Sequence, residues 1–178
     1  MESKHVEHLT RVRHLRESFA EANERLVARL RRVDDHAAEV HSAAGGWSAA
    51  QIGWHVAKVS TRFASLISGE FPGAQPLPDG FRPREWTAIA AEIPAKLQAP
   101  SGVEPPVVVH RGDAIAALEA SGVRMARAFD ALTPERGEHL GITSTVVGGT
   151  ITLYQLGEWA TAHVIRHNRQ AKRVLGEG

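Results

Sequence analysis

His163 and His167 are four residues apart in a stretch with helical apolar periodicity. On a helix that spacing puts both imidazoles on one face, one turn and about 6 Å of rise apart, within reach of a single metal ion. Ten histidines in 178 residues supply roughly half of one such pair by chance, so spacing alone decides little. Placement decides more. The apolar stripe runs Leu153, Leu156, Ala160, His163, His167, Ala171 and Val174, with the two histidines where the pattern calls for apolar side chains. Adjacent inward imidazoles need hydrogen-bond partners or a shared ion, and protonating both would set them against each other. His55, on the flank of a second stripe (Ile52, Val56, Val59, Phe63, Leu66), supplies a third ligand. Facing helices of a bundle are where metal ligands converge.

Several chemistries are excluded by the same residues. Val164 follows His163, so the H-E-x-x-H pattern of zinc proteases and its glutamate base are missing. The inward Glu-x-x-His pairs of a di-iron bundle are also absent. Glu158 projects away from the His163 face, and Glu119 flanks the stripe of its own helix as a weak candidate base. Gln51 and Gln170 lie one turn from His55 and His167, placed either to orient the imidazoles or to cap and pack. His5, His8, His14, His36, His41, His110 and His139 read as structural or exposed.

Four helical segments must position these residues. The first spans about Ser3 to Val33, with its stripe through Leu15, Phe19, Ala22, Leu26 and Leu30. The second spans about Ala49 to Ile67, behind a capping box of Ser48 and Gln51. The third starts at Asp113 as N-cap and ends before Pro134; Gly122 on its stripe is either a place for a neighbouring helix or a ligand to come close or a tolerated small residue. The fourth spans about Leu153 to Leu175, behind a capping box of Thr152 and Gln155, and stops at Gly176. Thr143 to Tyr154 reads equally as a β-hairpin turning at Gly148-Gly149; a helix beginning near Thr152 is preferred. The short connection around Ala43 to Trp47 makes the first two helices antiparallel neighbours. Residues 69–112 hold eight of the nine prolines, so no long helix crosses them, and a short helix is expected at Arg84–Ile93 behind Pro83. The fold class is therefore all-α: a single-domain four-helix bundle over residues 1–178 with a long crossover between helices two and three.

Composition narrows the partners. Lys plus Arg is 21 against 20 for Asp plus Glu, which gives no reason to expect nucleic acid. There is no cysteine, so thiolate ligands and disulfides are excluded. The charged N-terminus has no apolar signal region, and no stretch approaches the ~20 apolar residues of a membrane span, so a cytoplasmic protein is expected.

Trp47-Ser48-x-x-Gln51-x-x-x-His55-Val56 resembles the W-[ST]-x-x-[EQ]-x-x-x-H-[LIV] segment of the DinB/YfiT-like superfamily, and His163-x-x-x-His167-x-x-Gln170 resembles its C-terminal H-x-x-x-H-x-x-Q segment. Gly149 to Leu153, with Trp159 beyond, is similar to that family's entry to the last helix. The resemblance implies a four-helix bundle, a three-histidine site for zinc or nickel on His55, His163 and His167, and a homodimer. It also implies action on a small molecule, either as a metal-dependent hydrolase or as a transferase or isomerase using a low-molecular-weight thiol. Asn168 stands where many members have a further histidine, and the His-Pro found before the last helix of many members is absent. Both departures touch the pocket rim and bear on the substrate. Three histidines leave a fourth position open, as in catalytic zinc sites. One alternative is a non-catalytic, metal-stabilised bundle that binds a ligand or partner, with Trp47, Trp54, Trp86 and Trp159 in its core or lining its pocket; another is no metal at all, with the histidines satisfied by hydrogen bonds.

Overall fold

The computed structural model describes residues 2–41, 46–94, 99 and 101–177. Four long helices build the bundle: α1 (Glu2–Arg31), α3 (Ala49–Ser68), α5 (Arg111–Asp130) and α7 (Leu153–Val174). Between them lie α2 (Asp35–Glu39), α4 (Trp86–Glu92), α6 (Pro134–His139) and the strands β1 (Gln75–Pro76), β2 (Leu140–Ser144) and β3 (Gly149–Thr152). The fold is mostly helical, as the periodicity predicts, and its stripes form the core. Phe19, Leu26 and Leu30 of α1, Ile52 and Ile67 of α3, Leu118, Met125 and Phe129 of α5, and Leu153 and Leu156 of α7 are all buried. Fully burying such a side chain is worth about 1.5–3 kcal/mol.

Side-chain contacts fix the helix directions. Asn23 bonds the Leu118 carbonyl while Arg16 pairs with Asp130, so α1 and α5 are antiparallel. Gly53 lies against Leu118 and Ala114 while Arg124 reaches Ser65, so α3 and α5 are parallel. His8 meets Tyr154 and Arg29 meets Asn168, so α1 and α7 are parallel. The order is up, down, down, up. Parallel α3 and α5 oblige the crossover between them to travel back along the whole bundle. It pairs as β1 with β2 at one end, passes α7 through α4, and reaches the start of α3 at Val103 to Val107.

Four details depart from the sequence reading. Asp113 is not the N-cap of α5: His110 holds that position without a side-chain cap, and Asp113 lies in the first turn, where its charge suits the helix dipole. The helix on the crossover is shorter than Arg84–Ile93 and begins after Glu85, whose side chain makes no cap hydrogen bond; Ile89 is buried, with Trp86 and Ile93 half-buried. The hairpin and the helix both exist in the ambiguous segment. β2 and β3 pair from Gly141↔Thr152 to Ser144↔Gly149, so the loop is Thr145 to Gly148 and not the Gly-Gly pair alone, and α7 begins at once after Thr152. First-helix periodicity reaches Val33, but α1 ends at Arg31 and the separate α2 follows, capped by the Asp34 side chain. Most of the predicted connection from Ala43 to Trp47 lies outside the described residues. Gly122 does admit a neighbour: a Cβ there would meet the Asn23 amide at 2.9 Å.

Candidate metal centre

The site begins with two helix starts. At α3, the Ser48 hydroxyl accepts from the Gln51 amide N–H and the Gln51 side chain accepts from the Ser48 N–H, at 3.2 and 2.9 Å. Thr152 and Gln155 do the same for α7, both at 3.1 Å. Each box answers two amides that a helix start otherwise leaves open. His55 lies in the first half of α3, His163 lies at the middle of α7, and His167 lies in its second half. Because Phe63 meets Trp159 while His55 meets His167, the two helices are antiparallel, and early α3 faces late α7.

The structure brings the three predicted histidines together. Their ring centroids are 5.2 Å (His55 to His163), 4.8 Å (His55 to His167) and 4.4 Å (His163 to His167) apart. One ring nitrogen from each lies within 4.8 Å of those of the other two, a spacing that could hold one metal ion. His55 donates from Nδ1 to the Val103 carbonyl at 2.7 Å, and His167 donates from Nδ1 to Gln170 Oε1 at 2.8 Å. With Nδ1 carrying the proton, Nε2 of each ring keeps a free lone pair.

His163 is different. Its Nδ1 is buried and has no hydrogen-bond partner. Such a nitrogen costs about 1–3 kcal/mol unless something answers it. Burial also keeps all three rings neutral. It pushes the His55 pKa down against the opposing Val103 hydrogen bond. It holds His163 well below the usual range, aided by His167, His55 and Arg166. It takes His167 down to about 4. Neutral imidazole is the metal-binding form. The donor set, its protonation and the orphaned nitrogen all fit a divalent cation.

Aromatic rings wall the cluster. Trp47 packs on His55 with centroids 4.8 Å apart, and Phe63 lies 6.5 Å from His163 and 5.0 Å from Trp159. Trp54 lies under Lys58, and Trp86 sits on the crossover. The Arg166 guanidinium reaches the Pro94 carbonyl at 2.9 Å, fastening the crossover to α7. Neither carboxylate weighed as a base is in the cluster. Glu119 pairs with Arg31 on an exposed face, and Glu158 pairs with Arg11. Gln170 touches His167, whereas Gln51 bonds the carbonyls of Pro106 and Val107 instead of His55.

Sequence reasoning missed Val103, whose contribution is a backbone carbonyl, and Phe63, read only as core. Of the other histidines, His8 is buried, with Nδ1 2.6 Å from the Tyr154 hydroxyl, and His5, His14, His36, His41, His110 and His139 are exposed.

A family model for the DinB superfamily matches residues 18–171. The chain belongs to the DinB superfamily. No curated protein and no solved structure matches it. Within this DinB-superfamily bundle the motif residues Gln51, His55, His167 and Gln170 each make a side-chain hydrogen bond, and His163 Nδ1 has none. Among the described residues, no helix is long and apolar enough to cross a membrane.

The Gln170 contact yields a direct expectation. Gln170→Ala removes the acceptor that fixes the His167 tautomer and should weaken zinc binding about 10- to 100-fold. Competition with a chromophoric chelator measures this. Unchanged affinity would mean that Gln170 only packs.

Proposed function

We propose that this protein is a metal-dependent enzyme that holds one divalent ion, zinc or nickel, on His55, His163 and His167 and acts on a small molecule. The observation that carries the reading is the convergence of three neutral imidazoles, one with an unanswered buried nitrogen. Three protein ligands leave a coordination position open. When bound, the ion supplies Lewis acidity and lowers the pKa of a water or thiol at that position.

The chain's own residues do the rest. Val103 and Gln170 hold the tautomers of His55 and His167. Trp47 and Phe63 keep water from the flanks of the ligand rings. The described group holds no carboxylate, and the charges acting on His163 and His167 are other imidazoles and Arg166. That favours a co-substrate which the bound ion alone can hold as an anion, such as a low-molecular-weight thiol in an S-transferase or isomerase reaction, over hydrolysis assisted by a general base. The family resemblance adds a homodimer, which light scattering would test.

The experiment is metal analysis of the untagged chain purified without chelator, then repeated after reconstitution with zinc and with nickel. About one equivalent of metal is expected. Hydrolase and thiol-transfer assays on the loaded protein follow. Full loading with an exchangeable fourth position but no turnover in either assay favours the non-catalytic, metal-stabilised bundle. No metal after reconstitution removes the proposal.

A further inference from the structure

The two capping boxes share a feature that capping does not require. In each, the glutamine Oε1 serves the helix start and leaves the Nε2 protons free for another partner. Gln51 Nε2 donates to the carbonyls of Pro106 and Val107 at 2.8 and 3.0 Å. Gln155 Nε2 donates to the Arg84 carbonyl at 2.5 Å. All three carbonyls belong to the crossover between α3 and α5. The two glutamines hold it at opposite ends of the bundle, because α3 and α7 are antiparallel.

Val103 lies just before the segment that Gln51 grips. Residues 103–109 lie in neither helix nor strand, and Pro105 and Pro106 have no N–H with which to build either. The position of the Val103 carbonyl is therefore set by contacts with the rest of the bundle. These are the buried Val103 side chain, the His55 N–H and the clamp by Gln51. Gln51 and His55 are four residues apart on α3, so one helix face carries both the ligand and the clamp.

We propose that Gln51 is a positioning residue for the metal centre: by fastening Pro106 and Val107 it holds the Val103 carbonyl at His55 Nδ1, and so fixes the tautomer and tilt of that ligand. This rests on the reading of the three histidines as a metal site. Gln155 makes the same pair of contacts away from the histidines and provides an internal control.

The test compares Gln51→Glu with Gln155→Glu in the full-length chain. Glutamate keeps an oxygen for the cap and replaces the clamp's N–H donors with a carboxylate facing carbonyl oxygens. The readouts are zinc affinity by chelator competition, the nitrogen-15 NMR signal of His55 Nδ1–H in the metal-free chain, and the thermal midpoint. Gln51→Glu is expected to weaken zinc about ten-fold and to shift or lose the His55 signal. Gln155→Glu should lower the midpoint to a similar degree while leaving both other readouts at wild-type values. Equal zinc affinities in the two variants, or an unchanged His55 signal in Gln51→Glu, would overturn the proposal. If the wild type takes up no zinc, the metal reading fails, and the His55 signal still decides whether Gln51 positions the ring. Should Gln51→Glu not fold, Gln51→Met removes the cap oxygen and the clamp together without adding charge and is judged, beside Gln155→Met, by the same His55 signal.

Discussion

His163→Leu is expected to abolish tight metal binding while making the metal-free chain more stable. Structural zinc sites with four ligands bind with about 10–16 kcal/mol, so one ligand is worth roughly 3–4 kcal/mol, or several hundred-fold in affinity. The same change removes the buried Nδ1 that has no partner. Leucine is apolar and of similar size, so the metal-free variant should gain about 1 kcal/mol or more over metal-free wild type. Saturating zinc reverses the order, because at a thousand-fold excess over Kd the wild type gains about 4 kcal/mol that the variant cannot. Urea denaturation with chelator and with zinc measures both halves. Should the variant bind zinc as well as wild type, His163 is no ligand. A metal-free variant weaker than wild type would mean that packing against Phe63 outweighs the orphaned nitrogen.

Acidification should destabilise the metal-free protein between about pH 6.5 and pH 4. Burial holds His55 and His163 below their ordinary pKa and takes His167 down to about 4. An unfolded histidine takes up its proton near pH 6.5, so inside this window the unfolded chain binds more protons than the native one. Stability therefore rises with pH through the window. It is fully present above the unfolded value, and the His167 contribution is gone below about pH 4. Each histidine contributes a slope of up to about 1.4 kcal/mol per pH unit. Glu92 and Glu135 have lowered pKa values and act below the window's upper half, whereas half-buried Glu158 has a raised pKa and works in the opposite sense. The slope above about pH 5 thus belongs mainly to the histidines. Urea midpoints in chelator at about pH 7 and about pH 5 test this against His163→Leu, which should be flatter. Equal midpoints for wild type at both values would contradict the buried, neutral assignment.

What the sequence made legible follows from the range of the interactions involved. Both capping boxes are local, three residues wide, and both form as read. The histidines on the α7 stripe were legible because two polar residues broke an apolar period, and His55 because it flanks another. The contact between His55 and Val103 spans 48 positions and ends on a backbone carbonyl, which every residue type shares, so no spacing announces it. Gln51 sits one helical turn from His55, yet its side chain turns to a loop that the sequence could not place. The segment around Thr152 defeats a choice between hairpin and helix because both are present, with Thr152 closing β3 and capping α7. Asp113 failed as a cap because a first-turn acid and an N-cap acid differ by only a few positions in sequence.

The parallel pairing of α3 and α5 makes their contacts distant in sequence. Arg124 and Ser65 are 59 positions apart, so that pair forms only after a large loop has closed. Nonlocal contacts of this kind slow folding relative to a bundle whose neighbours in sequence are neighbours in space. The crossover's native contacts are complete only when α3 and α7 have met, since its carbonyls bond to side chains of both. The histidine cluster needs the same meeting of α3 and α7, so late assembly is the expected result. A metal ion arriving early would find no site, so zinc should slow unfolding while leaving the refolding rate nearly unchanged.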